Sequence, residues 1–144
     1  MTSDGCEICG DPKHPQAYAC DRCRKILRRV DMRRDSLGKL RKPDREARKE
    51  ALREAWDPDV RCFRCHYTRM ALQTEDHRDH LYLSLEHQTP GNEADIVVVS
   101  ALLNRMKTDL SDKEFRRMVA ALARTFEDED FDETAFPDRK FRAS

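Results

Sequence analysis

Hydrophobic and polar positions alternate most clearly between Leu81 and Leu110. Leu81, Leu83 and Leu85 interleave with Tyr82, Ser84 and Glu86, the period-two signature of a half-buried strand that ends on Glu86-His87. Thr89-Pro90-Gly91-Asn92 then predicts a loop, because Pro and Gly interrupt a ladder. Ile96-Val97-Val98-Val99 is short and β-branched, which predicts a return strand. Ser100 is placed to cap a helix over Ala101–Lys107. Ser111-Asp112-Lys113-Glu114 has the form of a capping box. Beyond it Phe115, Met118, Val119, Leu122 and Phe126 recur at helical spacing, predicting a stripe that packs back on the strands.

Upstream the period is helical. Residues 24–36 set Ile26, Leu27 and Val30 on one face and arginines on the others. After Ser36-Leu37-Gly38, Pro43 is suited to open a second helix, DREARKEALREAW. There Ala47, Ala51, Ala55, Leu52 and Trp56 align, Arg45, Arg48, Lys49 and Arg53 are expected outside, and Asp57-Pro58 stops the run.

Composition narrows the class. At 144 residues the chain suits one compact domain, or a core with a small accessory module. Charged residues make up 39%, above the usual level of about 25%, so the core is modest and metal would help to hold it. The net charge of zero hides a polarity. Arg22 to Arg53 holds 14 Lys/Arg against five Asp/Glu, whereas Glu127 to Asp138 holds seven acids and no base. That arrangement predicts a polyanion-binding arm and a repelling, flexible tail carrying Phe131, Phe136 and Phe141. No run approaches the roughly 18 apolar residues of a membrane span. The N-terminal residues show no targeting pattern, so a cytoplasmic, intracellular setting is expected.

Paired cysteines in that setting point to metal before disulfide. Cys6-x2-Cys9 and Cys20-x2-Cys23 supply four thiolates at a spacing that encloses tetrahedral Zn²⁺ in a closed, structural site. A redox C-x-x-C would need a βαβ context that is absent. His14 lies between the pairs as a loop residue. Cys62-x2-Cys65 with His77 and His80 gives a second spacing compatible with zinc, against which stand free thiols and loop histidines. The excess of base over acid in the first helix favours phosphate contact by Arg24, Lys25, Arg28, Arg29, Arg33 and Arg34, with Arg105 beside the strand pair. No aromatic interleaving suggests base stacking, and specific readout is not implied.

The strand–loop–strand–helix segment carries the chemistry. Glu86 and Asn104 offer hard oxygen ligands for Mg²⁺ or Mn²⁺. His87 is a suitable general base near neutral pH. Lys107, one turn past Asn104, is placed to add charge toward a phosphate. Singly, each residue reads as ordinary polar surface; in this order they describe a phosphodiester hydrolase.

The same segment, through LSLEHQTPG and DIVVVSALLNRMKTDLSDKEF, resembles the HNH endonucleases with their ββα-metal finger, and is similar to phage-type and environmental members over residues 59–126. The resemblance implies Glu86 for the metal-binding acid, His87 for the general base and Asn104 for the final metal ligand. Asp95 stands where many members carry an Asn that braces the loop, and Ser100 and Leu103 stand where others carry a structural cysteine pair. It also implies an α+β fold and DNA as substrate. The expected organisation is a zinc module with a basic helix (1–36), a basic helical connector (37–58), a nuclease finger (59–126) and an acidic tail (127–144). The alternative from another class is a non-catalytic zinc-dependent nucleic-acid-binding or assembly protein; oligomeric state is left open.

Overall fold

The computed structural model describes residues 5–31, 45–89 and 94–137, with the side chains of 30 and 31 excepted. Among the described residues the architecture is α+β: two small antiparallel sheets, four α-helices and a four-cysteine cluster near the N-terminus. Helix α1 (Asp21–Asp31) buries Ile26 and Leu27, the apolar face that its periodicity predicts. Val30's side chain, residues 32–36 and Pro43 lie outside the described residues.

Helix α2 (Arg45–Ala55) is stapled by pairs such as Lys49–Glu46 at 3.3 Å, and Ala51 and Leu52 enter the core. Two of its basic residues depart from the expected outer face: Arg48 and Lys49 are buried. Lys49 lays its stem along α2 and reaches Glu7 at 2.6 Å while its ammonium lies 5.1 Å from the Tyr18 ring centre, so its charge is met by the N-terminal module rather than by water. Trp56 is not helical. It opens strand β1 (Trp56–Asp57), which pairs with β2 (Cys62–Arg64), and β2 pairs with β3 (Ala71–Leu72). Trp56 sits opposite Phe63 in that register, their rings 4.9 Å apart edge to face, a cross-strand pair that outcompetes another helical turn. Strands of two or three residues leave no period in the sequence, and this sheet was not predicted.

Strand β4 (Leu83–His87) and β5 (Ile96–Ser100) form the predicted hairpin, with Glu86 opposite Val97 and His87 opposite Ile96. Leu83 and Leu85 face the core, while Ser84 and Glu86 face the other way. Helix α3 (Ala101–Lys107) follows at once, Ser100 accepting the Leu103 N–H as cap, and packs against β4 and β5. Helix α2 covers β5 from the other direction, and the buried cluster runs without a break from Cys6 to Val99. The predicted zinc module and hairpin therefore share a core.

Helix α4 (Asp112–Phe126) opens on the predicted capping box, Ser111 and Glu114 satisfying each other's backbone. Its stripe is only partly core. Phe115 is buried, as is Ala121 off the stripe, but Val119, Leu122 and Phe126 are exposed. The acidic segment carries one short element among its described residues. A short 3-10 turn, Glu133–Ala135, buries Ala135 beside α4, Arg117 donates to the Thr134 hydroxyl, and Phe131 and Phe136 stack edge to face. Phe141 lies outside the described residues. Among the described residues no helix is long and apolar enough to cross a membrane.

Candidate functional site

Two groups of candidate residues stand out among the described residues. The first is the four-cysteine cluster. Cys6 and Cys9 flank a tight turn closed by the Gly10 N–H on the Cys6 carbonyl at 2.9 Å, with Gly10 at φ +80°, where only glycine rests without strain. Cys20 immediately precedes α1 and Cys23 lies in its first turn. All four sulfurs lie within 4.8 Å of one another and all four residues are buried. The Cys9–Cys20 sulfur separation is 3.7 Å. Four sulfurs at about 2.3 Å from a tetrahedral zinc stand roughly 3.8 Å apart, so the donor set and its spacing suit that ion.

The thiols are electrically unequal. Burial pushes the Cys6 thiol up, but hydrogen bonds from the backbone of Cys9, Cys20 and Ile8 and from the Cys9 thiol outweigh it and bring it down to about 7. Burial raises Cys9, and burial together with the neighbouring sulfurs raises Cys23 strongly. Arg22 faces this charge: its guanidinium bonds Cys9, lies 3.4 Å from Asp11 and sits 4.9 Å from the Trp56 ring centre. Sequence reading assigned Arg22 no role; only its position in the turn after Cys20 hinted at one.

The second predicted zinc set is not assembled. Among the described residues the cluster of Cys6, Cys9, Cys20 and Cys23 is the only gathering of three or more His, Cys, Asp or Glu ligand atoms. Cys62 sits in β2, Cys65 is fully buried, and His77 and His80 stand exposed in the loop before β4. The Cys65 thiol turns forward to Thr68, whose hydroxyl and amide bond it, not back to Cys62.

The second site lies on the outward face of β4. Asn104, on α3, donates its amide N–H to the Ser84 hydroxyl at 2.5 Å, and Ser84 precedes Glu86 by two residues on the same face. Glu86, mostly buried, accepts the His87 N–H at 2.9 Å. Lys107, a turn after Asn104, is 1% exposed, with its ammonium 3.7 Å from Glu86 and donating to the carbonyls of His87 (2.8 Å) and Leu110. This corrects the expectation that Lys107 reaches outward to a phosphate. It is turned inward because two carbonyls and a carboxylate there require a buried cation. Ser84 is a residue that sequence reasoning passed over.

The loop after β4 is held from both sides. Asp95 accepts from the Gln88 side chain and from the Thr89 hydroxyl, each at 2.9 Å, and its carbonyl accepts the Gln88 N–H. Asp95 thus braces the loop; Pro90, Gly91 and Asn92 lie outside the described residues. Against the same strand end sits a polar group missed in the sequence. Tyr67 donates to Asp112 at 2.7 Å, Arg116 pairs with Asp112 at 2.9 Å and reaches the His66 ring, and the Asp112 N–H donates to the Gln88 carbonyl. Burial and the Asp112 carboxylate raise the Tyr67 phenol, so it stays a donor.

Of the predicted phosphate contacts, Lys25, Arg28, Arg29 and Arg105 are exposed. Arg29 bonds the Tyr82 hydroxyl and lies over its ring, tying α1 to the residue just before β4. Arg24 pairs with Asp21, and Arg33 and Arg34 lie outside the described residues. Comparison with protein-family models, with curated proteins and with solved structures yields no match.

Proposed function

We propose that this chain is a metal-dependent DNA endonuclease of the HNH type, with a structural zinc in its four-cysteine module. The observation that carries the reading is the Asn104–Ser84 bond between α3 and β4, which ties an amide to the strand face that also carries the Glu86 carboxylate, with His87 next in the chain. Glu86 and the Asn104 amide oxygen are hard donors that would hold Mg²⁺ or Mn²⁺. Such an ion, when bound, neutralises charge on the phosphate and on the departing 3′-oxygen.

The residues of the chain supply the rest. His87 takes the proton of the attacking water. Lys107 fixes the His87 carbonyl, and so the strand end from which the imidazole projects. Arg105 and the exposed basic residues of α1 hold flanking phosphates, an attraction that weakens with salt. Asp95 keeps the loop between the two strands in register.

A second reading, a non-catalytic zinc-dependent nucleic-acid-binding or assembly protein, draws on Lys107, whose ammonium already compensates Glu86. Plasmid incubated with Mg²⁺ or Mn²⁺ separates the two. The nuclease reading expects metal-dependent cleavage that falls in His87→Ala and Glu86→Ala; the other expects salt-sensitive binding and an intact plasmid. Offering RNA alongside DNA defines the substrate. Equal cleavage by wild type and His87→Ala would remove His87 from the mechanism.

A further inference from the structure

One local architecture occurs twice in this chain. In the N-terminal turn the Cys6 N–H donates to the Asp11 carbonyl at 2.7 Å, the Gly10 N–H donates to the Cys6 carbonyl at 2.9 Å, Gly5 bridges Pro12, and Gly10 has φ +80°. The turn after β2 repeats each feature. The Cys65 N–H donates to the Met70 carbonyl at 3.0 Å, the Arg69 N–H donates to the Cys65 carbonyl at 2.9 Å, Arg64 pairs with Ala71, and Arg69 has φ +62°. Every member of the second set lies 59 positions after its counterpart.

The helices that complete the two units also correspond. Cys20 immediately precedes α1 and Cys23 is its third residue; Ser100 immediately precedes α3 and Leu103 is its third residue. The second turn lies against the start of its helix, as the first does. The His66 N–H donates to the Val98 carbonyl at 2.8 Å, and the Cys65 thiol is bonded by Thr68 and by the backbone of Ser100. The positions equivalent to Cys6, Cys9, Cys20 and Cys23 are therefore Cys65, Thr68, Ser100 and Leu103.

We infer that Cys65, Thr68, Ser100 and Leu103 are a ligand-depleted second copy of the four-cysteine site, in which a buried, hydrogen-bonded thiol joins turn to helix and which becomes a soft-metal site once the three other positions are cysteine. Only a frame that already brings these four positions to one point can do this, since thiolates at about 2.3 Å from a tetrahedral ion tolerate little displacement. Arg69 follows from the same reading. It occupies a left-handed position that the first copy gives to glycine, so an arginine there is strained.

The inference rests on the zinc reading of the first copy only for its choice of ion, and the test separates them. Wild type and Thr68→Cys/Ser100→Cys/Leu103→Cys are titrated with Co²⁺ under reducing conditions, reading the thiolate-to-cobalt absorption. One equivalent for wild type and two for the triple variant are expected. No equivalent for wild type and one for the triple variant would sink the zinc reading of the first copy and uphold the second. A folded triple variant that takes up no more Co²⁺ than wild type overturns the inference. If the triple variant does not fold, Thr68→Cys/Ser100→Cys decides the matter: with Cys65 it offers three thiolates, an additional equivalent of Co²⁺ is expected, and uptake no greater than that of wild type overturns the proposal.

Discussion

Lys107 holds its buried ammonium 3.7 Å from the Glu86 carboxylate, and the same nitrogen closes hydrogen bonds to the carbonyls of His87 and Leu110. A charge so placed secures the end of β4, the loop before α4 and the candidate metal carboxylate together. Lys107→Met should therefore cost about 2–3 kcal/mol in urea unfolding, since two carbonyls and a carboxylate lose their donor at once. Glu86→Gln should cost less, because the ammonium keeps both carbonyls. The double variant should lose less than the two single losses combined, and strict additivity would show that the pair is not coupled.

On the nuclease reading Asn104 bears on activity more than on stability. Its bond to Ser84 ties the amide to the face of β4 that also carries Glu86. On that reading Asn104→Ala should lower plasmid cleavage by at least about 100-fold, since it removes a ligand, and Ser84→Ala by about 10-fold, within the ordinary range for a residue that orients one. Each should change unfolding free energy by only about 1 kcal/mol. Cleavage by Asn104→Ala at the wild-type rate would take this residue out of the site.

The hairpin, both capped helices downstream and the four-cysteine cluster were legible because each leaves a local mark: alternation, a β-branched run, Ser at a helix start, C-x2-C twice. What was not legible depends on distant partners. Lys107 looks like any helical lysine until the His87 carbonyl, twenty residues earlier, is found beneath it. Lys49 reads as an outward helical residue because Glu7 and Tyr18, which receive it, belong to another module. The β1–β2–β3 sheet escaped because its strands are shorter than one alternation can mark. Cys62, Cys65, His77 and His80 had a zinc-like spacing, but spacing says nothing of direction, and the Cys65 thiol points to Thr68.

Trp56 offers a direct view of the four-cysteine module. It is the chain's only tryptophan, and Arg22 lies 4.9 Å from its ring centre while bonding Cys9. Zinc removal by a chelator should leave four crowded thiols without a compensating cation, release Arg22 and shift Trp56 emission to the red, with zinc restoring it. Cys23→Ala should abolish the restoration. An emission spectrum indifferent to chelator would mean that no metal orders this module.

Asp112 sets an acid limit on stability. Burial pushes its carboxyl up, but the Tyr67 hydroxyl and Arg116 guanidinium outweigh that and hold it below the ordinary carboxylate value. A carboxyl depressed in the folded state contributes stability that is full above its unfolded value of about 3.9 and is lost as pH falls through the lower, folded value. Wild type should therefore lose more stability than Asp112→Asn between about pH 5 and pH 2. Tyr67→Phe should flatten the acid limb in the same direction. Parallel stability curves for all three proteins would exclude this pair as a source of the acid limit.

The α4 stripe separates burial from pattern. Phe115 and Phe126 stand in one helical register, yet Phe115 is buried with its ring 5.2 Å from Tyr67, while Phe126 is 80% exposed. Phe115→Ala should cost about 3–4 kcal/mol, through lost transfer energy and the cavity left against Tyr67. Phe126→Ala removes as many atoms from a site already in water, so its unfolding free energy should stay within about 0.5 kcal/mol of wild type. The same chemical change gives different results because one ring is enclosed and the other stands in solvent. A large loss from Phe126→Ala would mean that the far end of α4 is covered in solution, and the measurement repeated across protein concentration would then show whether a second copy covers it.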